Sequence, residues 1–202
     1  MRVYARVEAP AAPRVQPLTC LAMTHFALTA VGRDRPGIVA AVSAALLDHS
    51  VNIEDSQMTI LRGHFAMVLV VAPPDGADLD RLRGDLEGVR ERLELEVLAL
   101  SPLAEADPAS EPAPTHIVTL YGADHPGIVH AATSVLAERG VDITDLTTKL
   151  VVEGASTPIY ALMMEISPPP GSDAGELERA LGAVAREQGV DLTVRQLDEE
   201  VL

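Results

Sequence analysis

The chain carries one stretch twice. Gly32-Arg-Asp-Arg-Pro-Gly-Ile-Val39 is matched ninety residues later by Gly122-Ala-Asp-His-Pro-Gly-Ile-Val129. The correspondence runs without a gap from about Phe26 and His116 to about Ile60 and Leu150. It pairs Thr29 with Thr119, Leu46 with Leu136, Val51 with Val141, Ile53 with Ile143 and Asp55 with Asp145. A self-match over a whole strand–helix–strand unit marks a duplication. In 202 residues, two small domains of about 100 residues each fit the usual size of a domain.

Each copy of the stretch follows an apolar run and opens a helical pattern, so it is a strand-to-helix turn. Pro36 suits the first helical position, where its missing N–H costs nothing and its φ is preset. Gly37 lets backbone or ligand come close. Asp34 stands where a carboxylate can accept unpaired amides of the helix start. The remaining amides, at the positive end of the helix dipole, make a seat for a carboxylate or a phosphate. An ordinary capped turn is the structural alternative for either copy alone. Gly32-x-x-x-x-Gly37-Ile lacks the Lys-Ser/Thr of a nucleotide P-loop, which rejects that reading.

Around the turns the first copy reads β-α-β-β-α-β. The expected elements are a strand at about His25–Val31, a helix at Pro36–His49, strands at Val51–Leu61 and His64–Ala72 joined by Arg62-Gly63, a helix at Asp78–Leu93 and a strand at Glu94–Leu100. Ile38, Ala41, Val42, Ala45, Leu46 and His49 recur at helical spacing, with His49 as a last-turn cap. The second copy runs strand His116–Gly122, helix Pro126–Arg139 with Gly140 as its stop, strands Val141–Val152 and Ile159–Ser167, helix Ala174–Gln188 and strand Val190–Gln196. Residues 1–22 are Pro/Ala/Arg-rich and aperiodic, the composition of a disordered tail or of upstream sequence ahead of a true start at Met23. The domains are then 23–100 and 116–202, with 101–115, which holds four prolines, as a semi-rigid linker.

Composition narrows the function. Thirty acidic against 15 basic residues give a formal net charge of −15, which argues against direct nucleic-acid binding and against an anionic membrane surface. No apolar run approaches the roughly 18–20 residues of a membrane span. The tail lacks the apolar core of a secretory signal, so a cytoplasmic protein is expected. Cys20, the only cysteine, leaves no internal disulfide and no cysteine zinc site. Aromatics are only 2% of residues and Trp is absent, so the cores are aliphatic. None of the six histidines pairs with Ser, Cys or a carboxylate at a spacing that reads as a triad. His125 and His130 lie five apart, where helical metal ligands usually lie three or four apart; a polar contact in the turn suits His125 better than a metal. No catalytic residue, metal or cofactor is expected.

Two helices on one face of a four-stranded antiparallel sheet in this order form the ferredoxin-like topology, an α+β fold. Pairing the two copies side by side, edge to edge, would cover one edge of each and place four helices on one face of a combined sheet. The turn motif, with Val51-Asn-Ile53 and Val141-Asp-Ile143 opening the second strands, resembles the ACT domain, a small-molecule-sensing module of amino-acid metabolism. Two such domains without another, and Ser156-Thr-Pro-Ile-Tyr160 before a strand, resemble the glycine cleavage system transcriptional repressor group. Formyltetrahydrofolate deformylases and uridylyltransferases share the Asp-x-Pro-Gly turn.

The resemblance implies a free amino acid bound where two ACT domains meet. Carried onto this chain, each seat joins one domain's turn to the start of strand two of its neighbour: Asp34, Arg35, Pro36 and Gly37 with Asp142 and Ile143, and Asp124, His125, Pro126 and Gly127 with Asn52 and Ile53. Helix-start amides hold the carboxylate, and Asn52 offers both a donor and an acceptor. Asp142 repels a carboxylate but pairs with an ammonium, so the two sites are expected to be unequal. The implied protein is a non-catalytic sensor of a small amino acid such as glycine or serine, acting through a protein partner as a transcriptional co-regulator of amino-acid or one-carbon metabolism. A regulatory subunit of a metabolic enzyme is the alternative, and a homodimer stays open.

Overall fold

The computed structural model describes residues 25–104, 112–151 and 159–197, and the chain divides into two compact units at Ala106/Asp107. The expected tail, the middle of the linker and the hairpin at 153–158 lie outside the described residues. The first unit runs β1 (Phe26–Arg33), α1 (Ile38–Asp48), β2 (Asn52–Leu61), β3 (His64–Ala72), α2 (Leu79–Arg92) and β4 (Val97–Pro102). The second runs β5 (His116–Ala123), α3 (Ile128–Ala137), β6 (Asp142–Val151), β7 (Ile159–Ser167), α4 (Ala174–Gln188) and β8 (Val190–Gln196). Each unit holds one antiparallel sheet, ordered β2-β3-β1-β4 and β6-β7-β5-β8. Both are ferredoxin-like βαββαβ units.

Period-two patterning builds each sheet. Phe26, Leu28 and Ala30 of β1 and Phe65, Met67, Leu69 and Val71 of β3 are buried against Ile38, Val42, Ala45 and Leu46 of α1 and Leu82, Leu86 and Val89 of α2. The second core repeats the plan, with Val118, Leu120, Leu162, Met164 and Ile166 under Ile128, Ala132, Leu136, Leu177 and Leu181. Each fully buried aliphatic side chain contributes about 1.5–3 kcal/mol. At the sheet edge the pattern fails to bury: every residue of β2 is exposed. Ile53, Met58 and Ile60 register beside Val71, Met67 and Phe65 on the helix side, yet α1 does not cover them. A register shift between Ile53 and Asp55 recurs between Ile143 and Asp145, so the duplication extends to a shared β-bulge.

The first glycine of the repeated motif allows a close approach of backbone segments. A Cβ on Gly32 would lie 2.8 Å from Leu95 Cδ2 and 3.2 Å from its Cα; on Gly122 it would lie 2.8 Å from Val190 Cγ1 and 3.1 Å from the Val190 Cα. Leu95 is buried although it precedes β4, which starts at Val97 and not at Glu94 as periodicity suggested. Glu94 takes a left-handed turn (φ 49°) that drops Leu95 into the core.

The helix starts also differ from expectation. α1 and α3 begin two residues after the proline, because Pro36-Gly37 and Pro126-Gly127 form the turn instead of the first helical residues. At the other end of α1 the amide of Val51 donates to the Leu46 carbonyl, as that of Val141 does to Leu136, closing each helix through a left-handed residue. That residue is Gly140 (φ 64°) in the second unit but Ser50 (φ 56°) in the first.

Ser50→Gly is therefore expected to stabilise the first unit by about 0.5–1 kcal/mol. Gly122→Ala is expected to destabilise the second by about 1–3 kcal/mol through overpacking on Val190. Urea unfolding of the two variants checks both signs.

Candidate functional site: two uncapped helix starts

The chain caps two of its helices and leaves two open. Asp78 accepts from the Arg81 amide at the start of α2 (3.0 Å), and Asp173 accepts from Gly175 and Glu176 at the start of α4. Both helices also carry an acidic residue in the first turn, Asp80 and Glu176. At α1 and α3 the cap residue is Gly37 or Gly127, no side chain caps the helix, and the first turn holds no acidic residue. Gly37 has φ 96° and ψ −5°, Gly127 φ 109° and ψ −21°, the third-position geometry of a type II turn with proline before it. The first amides inside the helical ladder are Ala41, bonded to the Gly37 carbonyl, and Ala131, bonded to that of Gly127. The amides of residues 38–40 and 128–130 precede it and sit at the positive helix end.

Depressions lie over both turns. One, of about 480 Å³, is lined by Asp34, Arg35, Gly37 and the first turn of α1, with Met58 and Phe65. The other, of about 630 Å³, is lined by Asp124, His125, Pro126, Gly127 and the first turn of α3 including His130, with Tyr160. Asp34 is exposed and its amide donates to the Gly63 carbonyl at 3.0 Å, so it ties the turn to the β2–β3 hairpin rather than capping α1.

Sequence reasoning missed Met58, Phe65, His130 and Tyr160 as site-lining residues. Phe65 and Tyr160 open the corresponding strands, but the longer second hairpin shifts their spacing to ninety-five residues. In a chain with two Phe and three Tyr, an aromatic at the same strand position of both repeats was the available signal.

The strand-two residues do not join their own turn. Asn52 and Asp142 are exposed and follow the far ends of α1 and α3. The 11 residues of α1 put about 16 Å between its two ends. Ile53 borders an apolar groove of about 320 Å³ with Ser43, Ser56, Met67 and Leu69, which shares Val39 and Met58 with the depression over the first turn. Ile143 packs on the second core.

The residue before each proline clamps its turn to the end of the second helix. In the first unit Arg35 donates to Glu94 at 3.0 Å. In the second, His125 reaches the Gln188 carbonyl through Nε2 (2.7 Å) and the Pro126 carbonyl through Nδ1 (3.1 Å). Both partners only accept, so a ring protonated at both nitrogens satisfies both contacts. The Gln188 and Pro126 carbonyls and the Asp124 carboxylate hold the His125 pKa above its usual value, against a smaller opposing effect of burial. The raised pKa favours the protonated ring, whose two nitrogens both face carbonyl acceptors. His49, beyond capping α1, bonds Asp85 of α2 at 2.7 Å and ties the two helices together.

A folded pKa above the unfolded value means that the stabilisation is complete below the unfolded value, about 6.5, and is lost as pH rises through the folded one. The stability difference between the wild type and His125→Gln is thus expected in mildly acidic buffer and to shrink as pH rises. Denaturant midpoints of both proteins across this range check it; a difference that grows with pH contradicts the clamp.

Comparison with known proteins places these turns in context. The ACT domain family model matches residues 24–99 and 115–195. A UPF0237 protein of Methanopyrus kandleri is 42% identical over 77 residues, 38% of this chain and 86% of that protein. Phosphoserine phosphatase SerB2 of Mycobacterium tuberculosis is 30% identical over 168 residues, 83% of this chain; the chain spans only 39% of that enzyme's length. Among solved structures, an unknown protein from Galdieria sulphuraria superposes with a TM-score of 0.71 at 28% identity, covering 87% of this chain and 99% of the other. A "putative glycine cleavage system transcriptional repressor" has the same fold, with a TM-score of 0.65 at 18% identity over 88% of this chain and 99% of that one. No helix among the described residues is long and apolar enough to cross a membrane. With both repeats matched over nearly their whole length, the chain belongs to the ACT domain family as a tandem pair of such domains.

Proposed function

We propose that this protein is a non-catalytic sensor of a small amino acid that regulates a protein partner, and that the ligand carboxylate sits on the open amides of α1 or α3. The observation that carries the reading is the contrast within one chain. α2 and α4 have aspartate caps and acidic first turns, while α1 and α3 have neither. An anion at an uncompensated helix start contributes what the missing cap would have supplied. Arg35 and the His125 imidazolium add positive charge beside the turns, and Asp34 or Asp124 can face the ligand ammonium.

The Asn52 and Asp142 contribution requires another ACT domain, because each lies at the far end of its own unit from its turn. In this reading the turn at 124–127 with Asn52 is the stronger seat. The turn at 34–37 with Asp142 is the weaker one. Glycine and serine are the first ligands to test. The likeness to a named glycine cleavage repressor and to phosphoserine phosphatases motivates both. The partner is a transcriptional regulator of amino-acid or one-carbon metabolism in the cytoplasm. The match of both repeats to part of a phosphatase supports a second reading, in which the pair regulates a catalytic chain of metabolism. Capture of the native partner in the presence and absence of ligand separates the two.

A ligand that binds only the folded protein raises its stability by about 2.7 kcal/mol at a hundred times Kd. A thermal-shift screen of the twenty amino acids is expected to find at least one that stabilises; a flat screen at millimolar ligand sinks the proposal. Asn52→Ala is expected to weaken that ligand roughly tenfold or more, the effect of a hydrogen bond of about 1–3 kcal/mol to a charged group. Asp142→Ala should leave affinity unchanged or improve it. Calorimetry in which Asp142→Ala abolishes binding and Asn52→Ala is silent reverses the assignment of the two seats.

A further inference from the structure

We infer that the open face of the first sheet is a self-association surface that pairs two copies of this chain, sheet against sheet. Both helices of the first unit pack on the opposite face. The register of β1–β4 then assigns the open face. β2 contributes Asp55, Gln57, Thr59 and Leu61, and β3 contributes Val70, Val68, Ala66 and His64. β1 gives Ala27, Thr29, Val31 and Arg33, while β4 gives Ser101, Ala99 and Val97. Charge on this face lies at its rim: the His25–Glu54 pair (2.8 Å) and Asp55 at one end, and Arg33 at the opposite corner, with the middle of the face uncharged. Leu61 is 60% exposed, Val68 47% and Val97 40%.

The second repeat supplies the contrast. Its equivalent face presents Asp145, Lys149, Glu165, Asp191 and Arg195 among Ile117, Thr119, Tyr121, Ile159 and Met163. Both sheets expose apolar side chains on this face, but in the second five charged residues are spread among them, while in the first the charges stay at the rim.

Three arguments select a second copy as the occupant. First, the chain carries a net charge of −15, so copies repel one another except across a surface free of like charge. Second, a twisted sheet is complementary to a sheet of the same hand and size. A second copy supplies it in a two-fold contact, where the same patch serves both partners. Third, docking the second repeat's charged face there would bury carboxylates without partners, which is costly. Four strands about 4.8 Å apart and about 20 Å long give a flat area of about 400 Å² per copy. That is about half of one partner's share in a standard interface, so the dimer is weak and depends on concentration.

Sedimentation velocity of the full chain under reducing conditions, over a concentration series, tests this. The wild type should pass from monomer to dimer, and added salt should tighten the dimer by screening the net charge. Val68→Asp should raise the dimerisation constant about tenfold or more by facing two buried carboxylates across the contact, with the melting temperature recorded to confirm folding. Val97→Lys, nearer the edge, should weaken the dimer in the same direction and serves if Val68→Asp does not fold. Met163→Asp on the second repeat should have no effect. A wild type that stays monomeric overturns the inference. So does a dimer that survives both first-repeat variants, as an edge-strand dimer would, or one dissolved by Met163→Asp.

Discussion

Everything distinctive about this molecule depends on a glycine in the left-handed region one residue before a helix. At Gly37 and Gly127 the backbone turns so that no preceding side chain caps the helix, and the next amides lie ahead of the helical ladder at the positive end of the dipole. Most residues resist that conformation, and proline in front fixes the preceding φ. The same chain places aspartates at the starts of α2 and α4. The open ends are therefore specific to the first helix of each repeat.

Around that constraint the rest of each unit acts as support. β1 must come within contact of the residue that precedes β4, and β5 of the residue that starts β8; Gly32 and Gly122 make room for Leu95 and Val190. The clamp from Arg35 to Glu94, and from His125 to the end of α4, fixes the turn against the second helix. Duplication has preserved the backbone of this device, including the bulge in the edge strand, while varying its chemistry. One clamp is the Arg35–Glu94 ion pair; the other is a histidine ring held between two backbone carbonyls. Such divergence is what two sites with different affinity or pH response would require.

Much of this was legible in the sequence because the repeat served as an internal comparison. The six elements of each unit and the strand-to-helix turn follow from periodicity read twice. What was not legible depended on backbone geometry. Pro36 reads as a first helical residue until the φ of Gly37 makes it part of a turn. Leu95 reads as strand until the left-handed Glu94 turns it inward. Phe65 and Tyr160 correspond in space, but a hairpin of different length hides the match in the sequence. The occupation of both His125 nitrogens by carbonyls has no signature in composition or spacing at all.

The central claim is that the amides opening α1 or α3 hold the ligand carboxylate. Amide NMR during an amino-acid titration of the full chain tests it most directly. The account predicts the largest shift changes at the amides of Ile38–Ala40 or Ile128–His130, with protection from solvent exchange developing there as ligand saturates. Saturable binding that leaves both turns unperturbed and moves amides elsewhere would contradict it.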